Sequence, residues 1–183
     1  VTMPDENCVH IIHKIENVGD KPTTLAPWAL TVLSPGGTEI IPVPDREEML
    51  LENRHFVFWA YTKMNDYRVT WGDKYIRLRQ DPDATYKFKF GTLSQHGWAA
   101  YFNHGDCFVK YFDTEEAKPH PDRNCNFETF TAAPMLEMES IGVLSELKPG
   151  ESVSHSECWS YYTDIKLPET DEETDEFVKK IVE

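Results

Sequence analysis

Val9-His10-Ile11-Ile12-His13-Lys14-Ile15 (residues 9–15) and Tyr86-Lys87-Phe88-Lys89-Phe90 (residues 86–90) decide the fold class. In the first stretch Val9, Ile11 and His13 fall on one face of an extended chain, and His10, Ile12 and Lys14 on the other. In the second, Tyr86, Phe88 and Phe90 oppose Lys87 and Lys89. Both patterns have period two, the repeat of a β-strand.

Working outward, further short segments rich in aromatic and β-branched residues read as strands: Trp28–Leu33, Glu39–Val43, Phe56–Tyr61, Tyr75–Leu78, Trp98–Phe102, Cys107–Phe112, Asn126–Thr131, Met135–Ile141 and Ser152–Tyr162. Turn signals separate them: Gly19-Asp20-Lys21-Pro22, Ser34-Pro35-Gly36-Gly37, His104-Gly105-Asp106, Lys118–Asp122 and Lys148-Pro149-Gly150-Glu151. Turns this frequent imply an all-β, antiparallel sandwich. Helical spacing is confined to Asp45–Asn53 and to Glu172–Val182, which places Phe177, Ile181 and Val182 near one face. The expected organisation is one β-sandwich domain over residues 1–183, with 166–183 as an acidic tail or a capping helix.

Composition narrows the function. Lys and Arg total 18 against 32 Asp and Glu, a formal net charge of -14 over 183 residues. Such a field repels phosphate backbones and anionic bilayers, so neither nucleic acid nor a membrane is expected as a partner. No run approaches the roughly 20 apolar residues of a membrane span. The chain begins at Val1 without a basic, apolar leader. It is expected to be soluble, and either cytoplasmic or exported after leader removal.

Cys8, Cys107, Cys125 and Cys158 lack zinc-site spacing. Buried free thiols are the simplest reading, and two disulfides are the alternative in an exported protein. No metal site and no cofactor is expected: His120-Pro121-Asp122 stands alone, and nucleophile-elbow, P-loop and dinucleotide motifs are missing.

Sugar rings offer hydroxyls at the rim and apolar C–H faces, so their sites pair flat aromatic rings with charged and amide groups. Trp59, Tyr61, Trp71 and Arg77 lie in one central region, and large aromatics can equally fill a core. Lys89 shares a face with Lys87, and Lys110 falls within the apolar strand Phe108–Phe112, where it must snorkel or meet a carboxylate. Lys89 with Lys110 forms the candidate cationic pair for a sugar carboxylate or phosphate. Asn126 with Glu128, and Glu137 with Glu139, are i, i+2 pairs on common faces. Glu128 becomes a general base if burial raises its pKa.

Ile15-Glu16-Asn17-Val18 to Leu25-Ala26-Pro27-Trp28-Ala29-Leu30, Asn126-Phe127-Glu128-Thr129, Leu136-Glu137-Met138-Glu139-Ser140 and Leu147-Lys148-Pro149-Gly150-Glu151-Ser152, closing on Trp159, carry a resemblance. From about Ile15 to Tyr162 the chain resembles a bacterial family near the galactose mutarotase-like (aldose 1-epimerase-like) supersandwich group. The resemblance implies two large antiparallel sheets, of which this chain is the whole or only the later part, with a sugar site on the concave one. Mutarotases pair a carboxylate base with a histidine acid; this sequence does not reproduce their histidine motifs, and Glu128 with the turn residue His104 are its own catalytic candidates. Trp59, Tyr61, Trp71, Arg77, Lys89, Lys110, Asn126 and Glu139 become candidates for binding a sugar or glycan. A non-catalytic glycan-binding or structural module is the alternative. A lyase or hydrolase on the same scaffold, drawing on Tyr101 and His104, is a further one.

Overall fold

A computed structural model describes residues 1–45 and 52–182. Its strands are β1 (Thr2–Asp5), β2 (Cys8–Glu16), β3 (Thr23–Leu25), β4 (Trp28–Leu33), β5 (Thr38–Pro42), β6 (Phe56–Phe58), β7 (Val69–Trp71) and β8 (Tyr75–Arg79). They continue as β9 (Phe88–Thr92), β10 (Trp98–Asn103), β11 (Asp106–Phe112), β12 (Phe127–Ala132), β13 (Met135–Ile141), β14 (Ser145–Leu147) and β15 (Ser152–Tyr162). A helix, α1 (Asp171–Phe177), follows and runs on as π-type turns over Val178–Val182.

The strands form an antiparallel sandwich. An eight-stranded sheet runs β1-β2-β15-β11-β10-β5-β8-β7, a five-stranded sheet runs β4-β13-β12-β9-β6, and β14 with β3 makes a small ladder. Strands distant in sequence thus become neighbours, as β15 does with β2 and β4 with β13.

Alternation decides what lies between the sheets. Ile41, Ile76, Leu78, Ala99, Tyr101 and Phe112 from the large sheet pack on Phe88, Phe90, Phe127, Leu136 and Met138 from the small one. On the other side of the large sheet, Ile40, Trp98, Ala100, Phe102, Cys107 and Val109 pack with Phe177 of α1. The C-terminal segment is therefore a cap. Thr170 caps α1 by accepting the Glu173 N–H at 3.2 Å, and three acidic residues in its first turn suit the positive end of the helix dipole.

Several expectations need adjustment. Four short strands, β1, β3, β7 and β14, went unread, because three or four residues are too few to show a period. The helix expected at Asp45–Asn53 falls mostly on residues 46–51, outside the described residues. Cys8 and Cys158 form a disulfide between neighbouring strands, whereas Cys107 and Cys125 are buried free thiols. Among the described residues no helix is long and apolar enough to cross a membrane.

Candidate functional site

The five-stranded sheet has a second face, turned away from the core. Register sets what it carries. Phe130 stands between Lys89 and Glu137, and Glu128 between Gly91 and Glu139. Directly opposed residues share a face in an antiparallel pair. Phe88 and Phe90 point into the sandwich, so Lys89 points out.

Lys89 Nζ lies 2.7 Å from Glu128 Oε2 and 2.8 Å from Glu139 Oε2. Trp28 donates its indole N–H to Glu139 Oε2 at 2.8 Å. The Trp59 ring centroid lies 4.5 Å from the Lys89 ammonium and that of Trp28 5.4 Å, close enough for cation–π attraction. Thr62 donates its hydroxyl to the Lys89 carbonyl at 2.6 Å, folding the segment after β6 over the lysine. Tyr61 packs edge-on against Phe130, 6.4 Å between centroids. The charged groups are covered, with side-chain exposures of 9% for Lys89 and 1% for Glu128, whereas Trp28 and Tyr61 are 57% and 42% exposed.

Burial shapes the chemistry. Desolvation pushes the Glu128 carboxyl up to about 7, opposed by Lys89 and assisted by the charges of Glu139 and Asp122. Among the described residues Glu128 Oε1 has no hydrogen-bond partner. Burial alone would lower Lys89, but its two carboxylates outweigh that and raise it. The cluster therefore holds a cation beside a carboxyl whose affinity for a proton burial has raised toward neutral pH.

The approach from Asp122 is built by the backbone. Asp122, Arg123 and Asn124 all have positive φ, at 49°, 61° and 72°, a costly conformation for residues other than glycine. His120 anchors this turn by donating its N–H to Asn124 Oδ1 at 2.9 Å, and the Cys125 N–H bonds to the Pro121 carbonyl at 3.0 Å. Cys125 then lies on Gly91: a Cβ there would come within 2.7 Å of Cys125 Sγ and 3.1 Å of Glu128 Cγ. Glycine at 91 lets the turn lie down beside Glu128.

Of the expected site residues, Glu128, Glu139, Lys89, Trp59 and Tyr61 come together. The others do not. Lys110 is buried between the sheets, where Glu157 Oε2 at 2.8 Å, the Ala29 carbonyl at 2.9 Å and Thr31 Oγ1 at 3.0 Å satisfy it. Trp71 packs on Phe90 and Phe56 at 5.2 and 5.4 Å. Arg77 holds α1 in place through the Thr170 carbonyl, Thr174 and Asp171. Asn126 spends its amide on Ser94 and Thr114. His104 is an exposed residue of the β10–β11 turn, with φ 56° before Gly105 at 86°, the two-residue geometry of a tight hairpin.

Trp28 was missed. The signal was present, since Trp28, Leu30 and Val32 alternate with Ala29 and Thr31, but only register places that row beside Glu139. Also missed was the polar chain inside the sandwich. Glu157 Oε1 meets His13 Nε2 at 2.9 Å, and His155 Nε2 meets Ser140 Oγ at 2.9 Å. Glu39 accepts from Thr129 at 2.5 Å; desolvation lifts its carboxyl to about 8.

No protein-family model matches the chain, and no curated protein matches it. Solved structures do. A Klebsiella pneumoniae protein provisionally assigned as an aldose 1-epimerase superposes with a TM-score of 0.57 over 99% of this chain and 48% of its own, at 13% identity. The chain has an antiparallel β-sandwich fold like that of the Klebsiella protein. A TPR-domain containing protein from Parabacteroides distasonis matches with a TM-score of 0.55 over 93% of this chain and 31% of its own, at 14% identity. The Slr1438 protein of Synechocystis matches at 0.50, over 87% and 52%, at 15% identity. The chain thus spans about half the length, or less, of the proteins it matches. At such identities the likeness concerns the fold alone.

Proposed function

We propose that the outer face of the five-stranded sheet binds a sugar ring against Trp28 and Tyr61, and that Glu128 exchanges a proton with it. The observation that carries this reading is the pairing of Glu128, whose carboxyl is pushed up to about 7 and keeps one oxygen free, with Lys89 beneath exposed aromatic rings. A carboxylate of that pKa accepts the anomeric hydroxyl proton near neutral pH and returns it. As the ring opens, the ring oxygen takes a proton from water at the rim, and closure reverses both transfers. The fold of the Klebsiella protein, provisionally an aldose 1-epimerase, supports a sugar reaction on this scaffold.

A second reading is a binding module without chemistry, and the 1% exposure of Glu128 favours it. Anomer exchange followed by NMR on a panel of neutral and acidic sugars separates the two. Catalysis requires exchange above the buffer rate that Glu128→Gln abolishes while sugar-induced shifts persist. Shifts without exchange support the module, and neither effect with any sugar overturns both readings.

A further inference from the structure

The charges around the proposed sugar site point to one class of sugar. Its central cation is engaged: Lys89 holds two carboxylates, at 2.7 and 2.8 Å, so Lys89 is not left to receive an anion. Lys87 and Arg123 are exposed and, among the described residues, form no ion pair with the cluster, so solvent and salt screen their charge. A carboxylate set into the sheet face itself is left over. Glu137 lies on the same face, half-buried, with no ion pair or hydrogen bond of its own among the described residues. Glu128 Oε1 is buried and, among the described residues, without a hydrogen-bond partner.

Glu137 and an exposed aromatic ring border the same side chain, Phe130. Glu137 is directly across from Phe130 in the β12–β13 ladder, and Tyr61, 42% exposed, rests edge-on against that same Phe130. A carboxylate and an exposed aromatic ring bordering one side chain suit an ammonium group, which would gain a charge-assisted hydrogen bond from the first and cation–π attraction from the second.

Resting on the sugar-site reading above, we infer that the ligand is an amino sugar: its protonated amine sits between Glu137 and Tyr61, and its ring lies toward Trp28. At that seat a uronate carboxylate or a sugar phosphate would meet the like charge of Glu137, which reverses the expectation of an anionic ligand drawn from Lys89 and Lys110.

The test is calorimetric or NMR titration of the whole chain with glucosamine, N-acetylglucosamine, glucose and glucuronate, at a pH where the glucosamine amine is charged. Glucosamine should bind about tenfold more tightly than N-acetylglucosamine or glucose, the gain of one partly buried ion pair, and glucuronate should not bind. Glu137→Gln should bring the ratio of glucosamine to N-acetylglucosamine affinity to about one. Equal affinity for glucose and glucosamine in the unaltered protein, or a ratio untouched by Glu137→Gln, overturns this inference and leaves the sugar site standing. Absence of binding by every sugar overturns the sugar site as well.

Discussion

Glu128 and Lys110 lie on opposite sides of the five-stranded sheet: Glu128 faces outward to Lys89, and Lys110 reaches into the sandwich from the other sheet. The cationic pair expected from sequence is therefore split into two separate ion clusters. The outer one borders exposed aromatic rings, and the inner one ties the sheets together.

Removing Lys89 should be costly. Lys89→Met leaves Glu128 and Glu139 covered and without their cation, a situation that costs roughly 3–5 kcal/mol when a buried pair is broken. Urea unfolding near neutral pH measures it. A loss below about 1 kcal/mol would mean that the carboxylates are hydrated, against the burial described.

Lys110→Met should also destabilise the protein, since among the described residues Glu157 then keeps only His13 and Ser140 as partners. Its effect on sugar should differ. In the folded variant, sugar affinity measured by titration should equal that of the unaltered protein. A several-fold loss would return Lys110 to the site.

Glu39 gives a pH signature. Its carboxyl titrates at about 8 when folded and at roughly 4.3 when unfolded. Between those values the folded state holds the extra proton, so stability falls as pH rises through the window, and is highest below it. Glu39→Gln removes this contribution. The variant should gain stability relative to the parent as pH rises from 5 toward 8, on the order of a few kcal/mol. Denaturant midpoints across that range measure it, and a difference independent of pH contradicts a proton held on Glu39.

How much of this was legible follows from the particular residues. The opposition of Lys89 to Phe88 and Phe90 was readable, because parity along one strand needs no partner. So was the shared face of Glu137 and Glu139. Parity does not say which sheet a strand joins, and Lys110, on a strand that alternates just as well, entered a different sheet. Trp71 looked like a sugar-stacking ring until the edge strand β7 brought it onto Phe56 and Phe90. Trp28 became visible only through the pairing of β4 with β13, strands a hundred residues apart. Long-range register, absent from any local pattern, was the missing information.

Trp28 offers a direct probe of the aromatic rim. Trp28→Phe keeps a ring but loses the N–H donated to Glu139, and Trp28→Ala loses both. Sugar affinity should fall modestly in the first and by about tenfold in the second, in line with roughly 1–1.5 kcal/mol of aromatic contact. Equal affinities in titrations of all three proteins would remove the ring from the site.

The most direct test is a two-dimensional ¹H–¹⁵N spectrum of the tryptophan indoles during sugar addition. The chain has five tryptophans, and only Trp28 and Trp59 flank Lys89. Their indole signals should move with added sugar while those of Trp71, Trp98 and Trp159 stay in place. Movement confined to the latter three, or none at all with any sugar, would contradict the outer face as the binding surface.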